Sequence, residues 1–124
     1  MNRRLYSLIF HLALPIIVAR LFWRARRAPA YAQRIGERFA LALPDAAPGG
    51  IWVHAVSVGE SIAAAPMIRA LRQRYPDLPI TVTCMTPTGS ERIRALFGDQ
   101  VAHCYLPYDL PWAAARFLRR LRPR

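Results

Sequence analysis

The residues with the most chemical promise stand in three short, loop-like stretches: Ser57-Val58-Gly59-Glu60, Thr86-Pro87-Thr88-Gly89-Ser90 and Pro107-Tyr108-Asp109. In the first, Gly59 permits a tight turn and close approach of a ligand to the backbone. Glu60 opens the helical pattern that follows, and a carboxylate at a helix start is stabilised by the helix dipole by ~0.3–1 kcal/mol. Held there, it stays ionised and can accept a proton or a hydrogen bond; the plainer reading is a helix-start glutamate with no chemical task. In the second stretch, the hydroxyls of Thr86, Thr88 and Ser90 and the backbone N–H groups around Gly89 suit an anion such as phosphate or carboxylate. The plainer reading is a cap, with Thr88 as N-cap and Glu91 completing a capping box. Asp109 reads as the cap of a third helix, His54 as a structural histidine within a strand, and Trp52 and Trp112 as packing residues. Cys84 and Cys104 have neither C-x-x-C spacing nor neighbouring ligands for a metal, and read as free buried thiols. The glycine patterns of dinucleotide-binding and P-loop sites are absent from the sequence.

Three strand–helix pairs must position these loops. Residues 51–57 (IWVHAVS) form a short β-rich run, and residues 60–75 carry apolar side chains at helical spacing, with Pro66 predicting a late start or a kink. Residues 80–85 (ITVTCM) read as the second strand, 90–97 as a helix ended by Gly98, 101–106 as the third strand, and 111–121 as a helix opened by Pro111. Repeated β-α units at this spacing predict a parallel α/β sheet with right-handed crossovers. Ligands of such sheets bind outside the carboxyl ends of the strands, where all three loops lie. A doubly wound sheet ordinarily continues with another strand after such a helix, so the expected fold is an incomplete βαβαβα unit.

Ahead of this unit, residues 5–23 are a 19-residue apolar stretch interrupted by Ser7, His11, Pro15 and Arg20. As a helix it measures ~28 Å, close to the ~30 Å hydrocarbon thickness of a bilayer. Pro15 and Arg20 disfavour a straight span, and the polar residues change sides along the helix, so a short or kinked anchor, spanning or lying in the interface, is expected. Arg20, Arg24, Arg26 and Arg27 then set the remainder on the cytoplasmic side. Residues 29–42 are expected to form a second helix, with Tyr31, Ile35 and Phe39 four apart, and residues 44–50 (PDAAPGG) a loop. The expected division is an anchor helix over 1–28, a basic helix and linker over 29–50, and an α/β domain over 51–124. The 124 residues carry 18 basic and 7 acidic side chains, a formal charge of +11, and every basic residue is arginine. Such a surface attracts anionic lipids or phosphorylated substrates. It would also attract nucleic acid, but no aromatic-basic motif of a nucleic-acid module is present.

The strings IWVHAVSVGE, ITVTCMTPTGSER and YLPYDLP, followed by an arginine-rich helix, resemble the Kdo transferase family, as does the Tyr31-x-x-Arg34-x-x-Glu37-Arg38 segment behind the apolar N-terminus. The resemblance covers essentially the whole chain. It implies a GT-B architecture of two Rossmann-type domains, of which this chain supplies most of the acceptor-side N-terminal one. It implies CMP-Kdo as donor, the lipid A precursor as acceptor, metal-independent transfer with inversion, no cofactor, and a place at the cytoplasmic side of the inner membrane. Glu60 matches the family's catalytic base. Ser57, Gly59, Thr86, Thr88, Gly89, Arg34 and Arg38 are then candidates for substrate binding. Cys84 stands where a threonine is usual. The family's next glutamate motif and the C-terminal domain that holds CMP are not among these residues, which implies a chain inactive by itself. The reading from another class is a noncatalytic, basic module that binds membrane surfaces.

Overall fold

The computed structural model describes residues 2–26, 29, 33–43 and 47–124. Helix α1 (Arg3–Ala25) is capped at Asn2, whose side chain accepts from the Arg4 N–H. It passes through Pro15. Helix α2 is one turn, Ile35–Arg38. Then come β1 (Ile51–His54), α3 (Val58–Arg74), β2 (Ile80–Cys84), α4 (Pro87–Phe97), β3 (Ala102–Tyr105) and α5 (Pro111–Leu121), with a 3-10 turn at Gly98–Gln100 before β3. The strands form one parallel sheet in the order β1-β2-β3, with Val53 opposite Val82 and Thr83 opposite Cys104. The α/β class, the parallel sheet and the preceding apolar helix are therefore as the sequence predicts.

Strand side chains alternate between two faces. Val53, Val82 and Cys84 pack with Ile68 of α3 and Ile93 and Phe97 of α4. On the other face Cys104 packs with Ala113, Phe117 and Leu121 of α5, and Phe10 and Leu14 of α1 join that cluster. Helices α3 and α4 thus cover one face, and α5 has crossed to the other. This change of side matters for the site: in open parallel sheets covered on both faces, ligands bind outside the carboxyl ends of the strands.

Several local expectations need correcting. The helix expected over 29–42 is a single turn among the described residues, because Arg34 and Ala40 adopt left-handed φ of 59° and 55° and cannot propagate an α-helix; residues 30–32, with Tyr31, lie outside the described residues. Helix α3 does not start late: it begins at Val58 and runs through Pro66, forgoing the one hydrogen bond that a proline cannot donate. Helix α4 begins at Pro87, not Ser90, and its cap is Thr86, not Thr88: Thr86 Oγ1 accepts from the Gly89 N–H at 3.1 Å. Proline at the first helical position, where no N–H is needed, moves the cap back by two residues. Asp109 is not a cap either. The N-cap of α5 is Leu110, and Asp109 accepts from the Tyr6 hydroxyl of α1 at 2.8 Å.

Candidate active site

All three loops meet at the carboxyl edge of the sheet. Backbone bonds extend the β1–β2 pairing into them, from Ala55 N–H to the Thr83 carbonyl at 2.9 Å and from Met85 N–H to the Val56 carbonyl at 2.9 Å. Ser57 is the N-cap of α3, but its side chain does not cap; its carbonyl accepts from the Ser61 N–H and hydroxyl at 2.9 and 2.8 Å. Glu60 lies in the first turn of α3 and is exposed.

The two glycines of the site differ. A Cβ on Gly89 would stand 3.0 Å from Thr86 Oγ1 and 3.2 Å from the Ser57 carbonyl carbon. That is tighter than most real Cβ contacts, so Gly89 lets the start of α4 press closely against the Ser57-Val58 backbone without displacing it. Gly59 is helical rather than in a tight turn, and a Cβ there would meet nothing within 4 Å. Nothing among the described residues requires a glycine at that position. Its bare backbone, one residue before Glu60, leaves open approach to the helix start. Thr88 is exposed, with its hydroxyl 3.5 Å from that of Thr86.

Arg34 and Arg38 stand beside these loops in an arrangement the sequence did not suggest. Their guanidinium carbons lie 4.2 and 4.3 Å from the centroid of the buried Tyr105 ring. Arg34 forms a bidentate pair with Glu37 and donates to Ser90 Oγ at 2.6 Å. Burial opposes the Arg34 cation, but the hydrogen bond and charge of Glu37 outweigh it and raise its pKa. Ser90 Oγ also lies 2.7 Å from His103 Nε2, while His103 Nδ1 lies 2.8 Å from the Val82 carbonyl. The carbonyl can only accept, so Nδ1 carries the proton and Nε2 accepts from the Ser90 hydroxyl. Burial, chiefly, with the Arg34 and Arg94 cations, holds the His103 pKa below its ordinary 6.5, against the Val82 bond. The imidazole is thus a neutral link in a chain from β2 through Ser90 to Arg34. Sequence reasoning missed His103, Ser90 in this role, and Tyr105, because nothing local marks a strand histidine as facing a helix-start serine. Arg38 is 3 % exposed, donates from Nη2 to the Met85 carbonyl at 3.2 Å, and its Nε has no partner among the described residues. The Tyr108 N–H donates to the Arg38 carbonyl at 2.7 Å, tying the third loop to this turn.

The remaining expected roles are simple packing. Thr83 Oγ1 accepts from Trp52 Nε1 at 2.9 Å and lies 2.9 Å from His54 Nδ1. Trp52 packs edge-on against Phe117, and Trp112 stacks on Phe39. Cys84 and Cys104 are free and buried. Burial raises both thiols, Cys104 to about 12, so neither is a nucleophile near neutral pH. Among the described residues no group of His, Cys, Asp and Glu could hold a metal.

Residues 33–124 match the model of the 3-deoxy-D-manno-octulosonic-acid transferase (kdotransferase) family. Over its whole length the chain is 44% identical to the 3-deoxy-D-manno-octulosonic acid transferase of Haemophilus influenzae and 41% identical to that of Bordetella pertussis, covering 30% and 31% of those proteins. Over 97% of its length it is 36% identical to a probable mitochondrial 3-deoxy-D-manno-octulosonic acid transferase of Arabidopsis thaliana, covering 27% of it. The chain therefore spans about three-tenths of the curated relatives it matches. No solved structure matches it significantly. With its family model laid over the sheet, all three loops and the Arg34–Arg38 turn, the chain belongs to the 3-deoxy-D-manno-octulosonic-acid transferase (kdotransferase) family.

Proposed function

We infer that the chain supplies the acceptor-side domain of an inverting transferase that moves Kdo from CMP-Kdo to the lipid A precursor at the cytoplasmic face of the inner membrane. Glu60 is the general base. In the transfer, an acceptor hydroxyl oxygen bonds to the anomeric carbon of Kdo, the bond from that carbon to the CMP phosphate breaks with its electron pair leaving on the phosphate, and the hydroxyl proton passes to Glu60. No cofactor enters this step. The observation that carries the reading is the exposed Glu60 carboxylate in the first turn of α3, beside the unobstructed Gly59 backbone, at the carboxyl edge of the parallel sheet just after β1. Ser57, Thr86 and Thr88 border the same opening and are proposed to hydrogen-bond the acceptor. The Arg34–Arg38 turn is proposed to face its phosphates, Arg38 directly and Arg34 through the frame that holds it. CMP binding is assigned in this reading to the part of the relatives' length that the chain does not span.

The test is a chimera in which this chain replaces the matching segment of the Haemophilus influenzae relative. It should transfer Kdo to the lipid A precursor. Glu60→Gln in that chimera should lower turnover by ~10²–10⁴-fold, the usual contribution of a general base, with CMP-Kdo binding retained. Wild-type turnover in the Gln variant would remove Glu60 from the mechanism, and a chimera that folds without transferring would refute the assignment of the domain.

A further inference from the structure

We propose that His103 is a positioning residue for transfer: through Ser90 it holds the start of α4 and the turn at Arg34 and Glu37 in place around the opening that Glu60 borders. Several elements meet at one hydroxyl. Ser90 of α4 is 3 % exposed, and its Oγ lies 2.6 Å from Arg34 Nη1 and 2.7 Å from His103 Nε2. His103, on β3, reaches on through Nδ1 to the Val82 carbonyl of β2 at 2.8 Å. Each link runs in one direction. A guanidinium only donates, so Ser90 Oγ accepts from Arg34 and gives its own proton to Nε2; a carbonyl only accepts, so the imidazole proton sits on Nδ1. No step of this chain can be reversed without losing a bond.

The chain touches the site on two sides. Gly89 precedes Ser90, and a Cβ there would stand 3.2 Å from the Ser57 carbonyl carbon and 3.4 Å from the Val58 nitrogen. The start of α4 therefore lies close against the backbone that leads into Glu60, and a shift of one is felt by the other. On the second side, Arg34 is held by Glu37 and by the Tyr105 ring as well as by Ser90, one turn before Arg38. A second proton on His103 would turn Nε2 into a donor and deprive the Ser90 hydroxyl of its acceptor. The charged groups that act on the ring are Arg34 and Glu37 from the α2 turn and Arg94 from α4. Burial first, then the two cations, favour the neutral ring, so the chain is intact near neutral pH.

The role rests on the acceptor-side reading given above, and it is tested in the same chimera with the Haemophilus influenzae relative. Kinetic constants are measured per folded enzyme, below the melting temperature of every variant, with acceptor and CMP-Kdo varied in turn. His103→Leu removes the acceptor for Ser90. It should lower kcat/KM for the acceptor by ~10–10²-fold, the scale of a misplacement of about 1 Å, and leave the KM for CMP-Kdo within about twofold. Ser90→Ala should show the same loss, and the double variant no more than either alone, because both cut one chain. His103→Gln keeps an uncharged acceptor for Ser90 and should restore kcat/KM at neutral pH to within about threefold. Between about pH 7 and 5, kcat/KM of the wild type should fall relative to that of the Gln variant, a ratio that cancels titrations common to both enzymes. Wild-type constants in His103→Leu or Ser90→Ala, with only a lower melting temperature, would reduce the chain to packing and overturn the role, as would a ratio that stays flat with pH. Additive losses in the double variant would overturn the route through Ser90, and losses confined to the KM for CMP-Kdo would overturn the role alone. A chimera that folds without transferring overturns the acceptor-side reading and the role together. Where His103→Leu does not fold, Ser90→Ala and His103→Gln decide on the same criteria.

Discussion

At Glu60 the local environment asks for little: the carboxylate is exposed in a first turn, and its neighbour Gly59 is open where a side chain would fit. Around His103 the environment asks for a great deal, since Ser90, Arg34, Glu37 and the Val82 carbonyl all depend on its tautomer. The two therefore fail in different ways when changed. Loss of Glu60 should cost chemistry and at most ~0.3–1 kcal/mol of helix stability, a shift of a few degrees in melting temperature. His103 should instead govern stability against pH. Its pKa is lowered in the folded chain, so below its ordinary 6.5 the unfolded state takes up more protons than the folded one. Its contribution is therefore fully present above that value and diminishes as pH falls toward the folded pKa. Melting temperature followed from about pH 7.5 to 5 should fall on the acid side, and a His103→Asn variant should show a flatter profile over the same range. Identical profiles would mean that the imidazole charges freely in the fold.

The elements were legible where sequence carried a complete signal. The bounds predicted for the last helix, 111–121, are those of α5, because Pro111 starts it and Arg122, with a left-handed φ of 41°, ends it. All three strands read from their β-branched and aromatic runs. The segment before β1 was misread because apolar spacing over 29–42 looks helical while the Arg34 and Ala40 backbones are held left-handed by contacts distant in sequence: Ser90 binds Arg34, and Ala40 is fully buried in the α5 cluster. The cap of α4 was misplaced because Thr88 and Glu91 make a capping box on paper while Pro87 already fills the first helical position. Two predictions follow at this scale. Thr86→Ala should cost ~0.5–2 kcal/mol as loss of an N-cap, and Thr88→Ala, whose hydroxyl is exposed, less than about 0.5 kcal/mol, both read from urea melts. The reverse order would restore Thr88 as the cap. For α1, Leu12→Glu with Ile16→Glu alters side chains about 70% exposed and opposite the docked face, so it should shift the chain to the soluble fraction of cells with its melting temperature little changed. Retention in the membrane fraction would place the attachment elsewhere.

At the scale of the whole molecule the sheet ends in two edges, and only one is aligned with the site. The Ile51 N–H donates to the Pro79 carbonyl on the β2 side, so across the trans peptide the Gly50 carbonyl points to the opposite, open side of β1. The Arg124 N–H donates to that carbonyl at 2.9 Å, and the Gly49 N–H donates to the carbonyl of Leu121 at the end of α5. The backbone after α5 is thereby delivered to the free edge of β1 at its amino end. A strand continuing from there would lie parallel to β1, giving the order 3-2-1-4 in which the winding reverses beside Glu60. Amide exchange tests this. With period two along the strand, the N–H groups of Ile51, Val53 and Ala55 face β2, and those of Trp52 and His54 face the open edge. In the 124-residue chain Val53 should be protected while Trp52 and His54 exchange rapidly. In the chimera with the remaining length of the Haemophilus influenzae relative, Trp52 and His54 should slow by at least about tenfold, equivalent to ~1.4 kcal/mol of added local stability, with Val53 less affected. If those two amides stay unprotected in an active chimera, the next strand does not join β1, and the position of Glu60 must be explained without a topological switch.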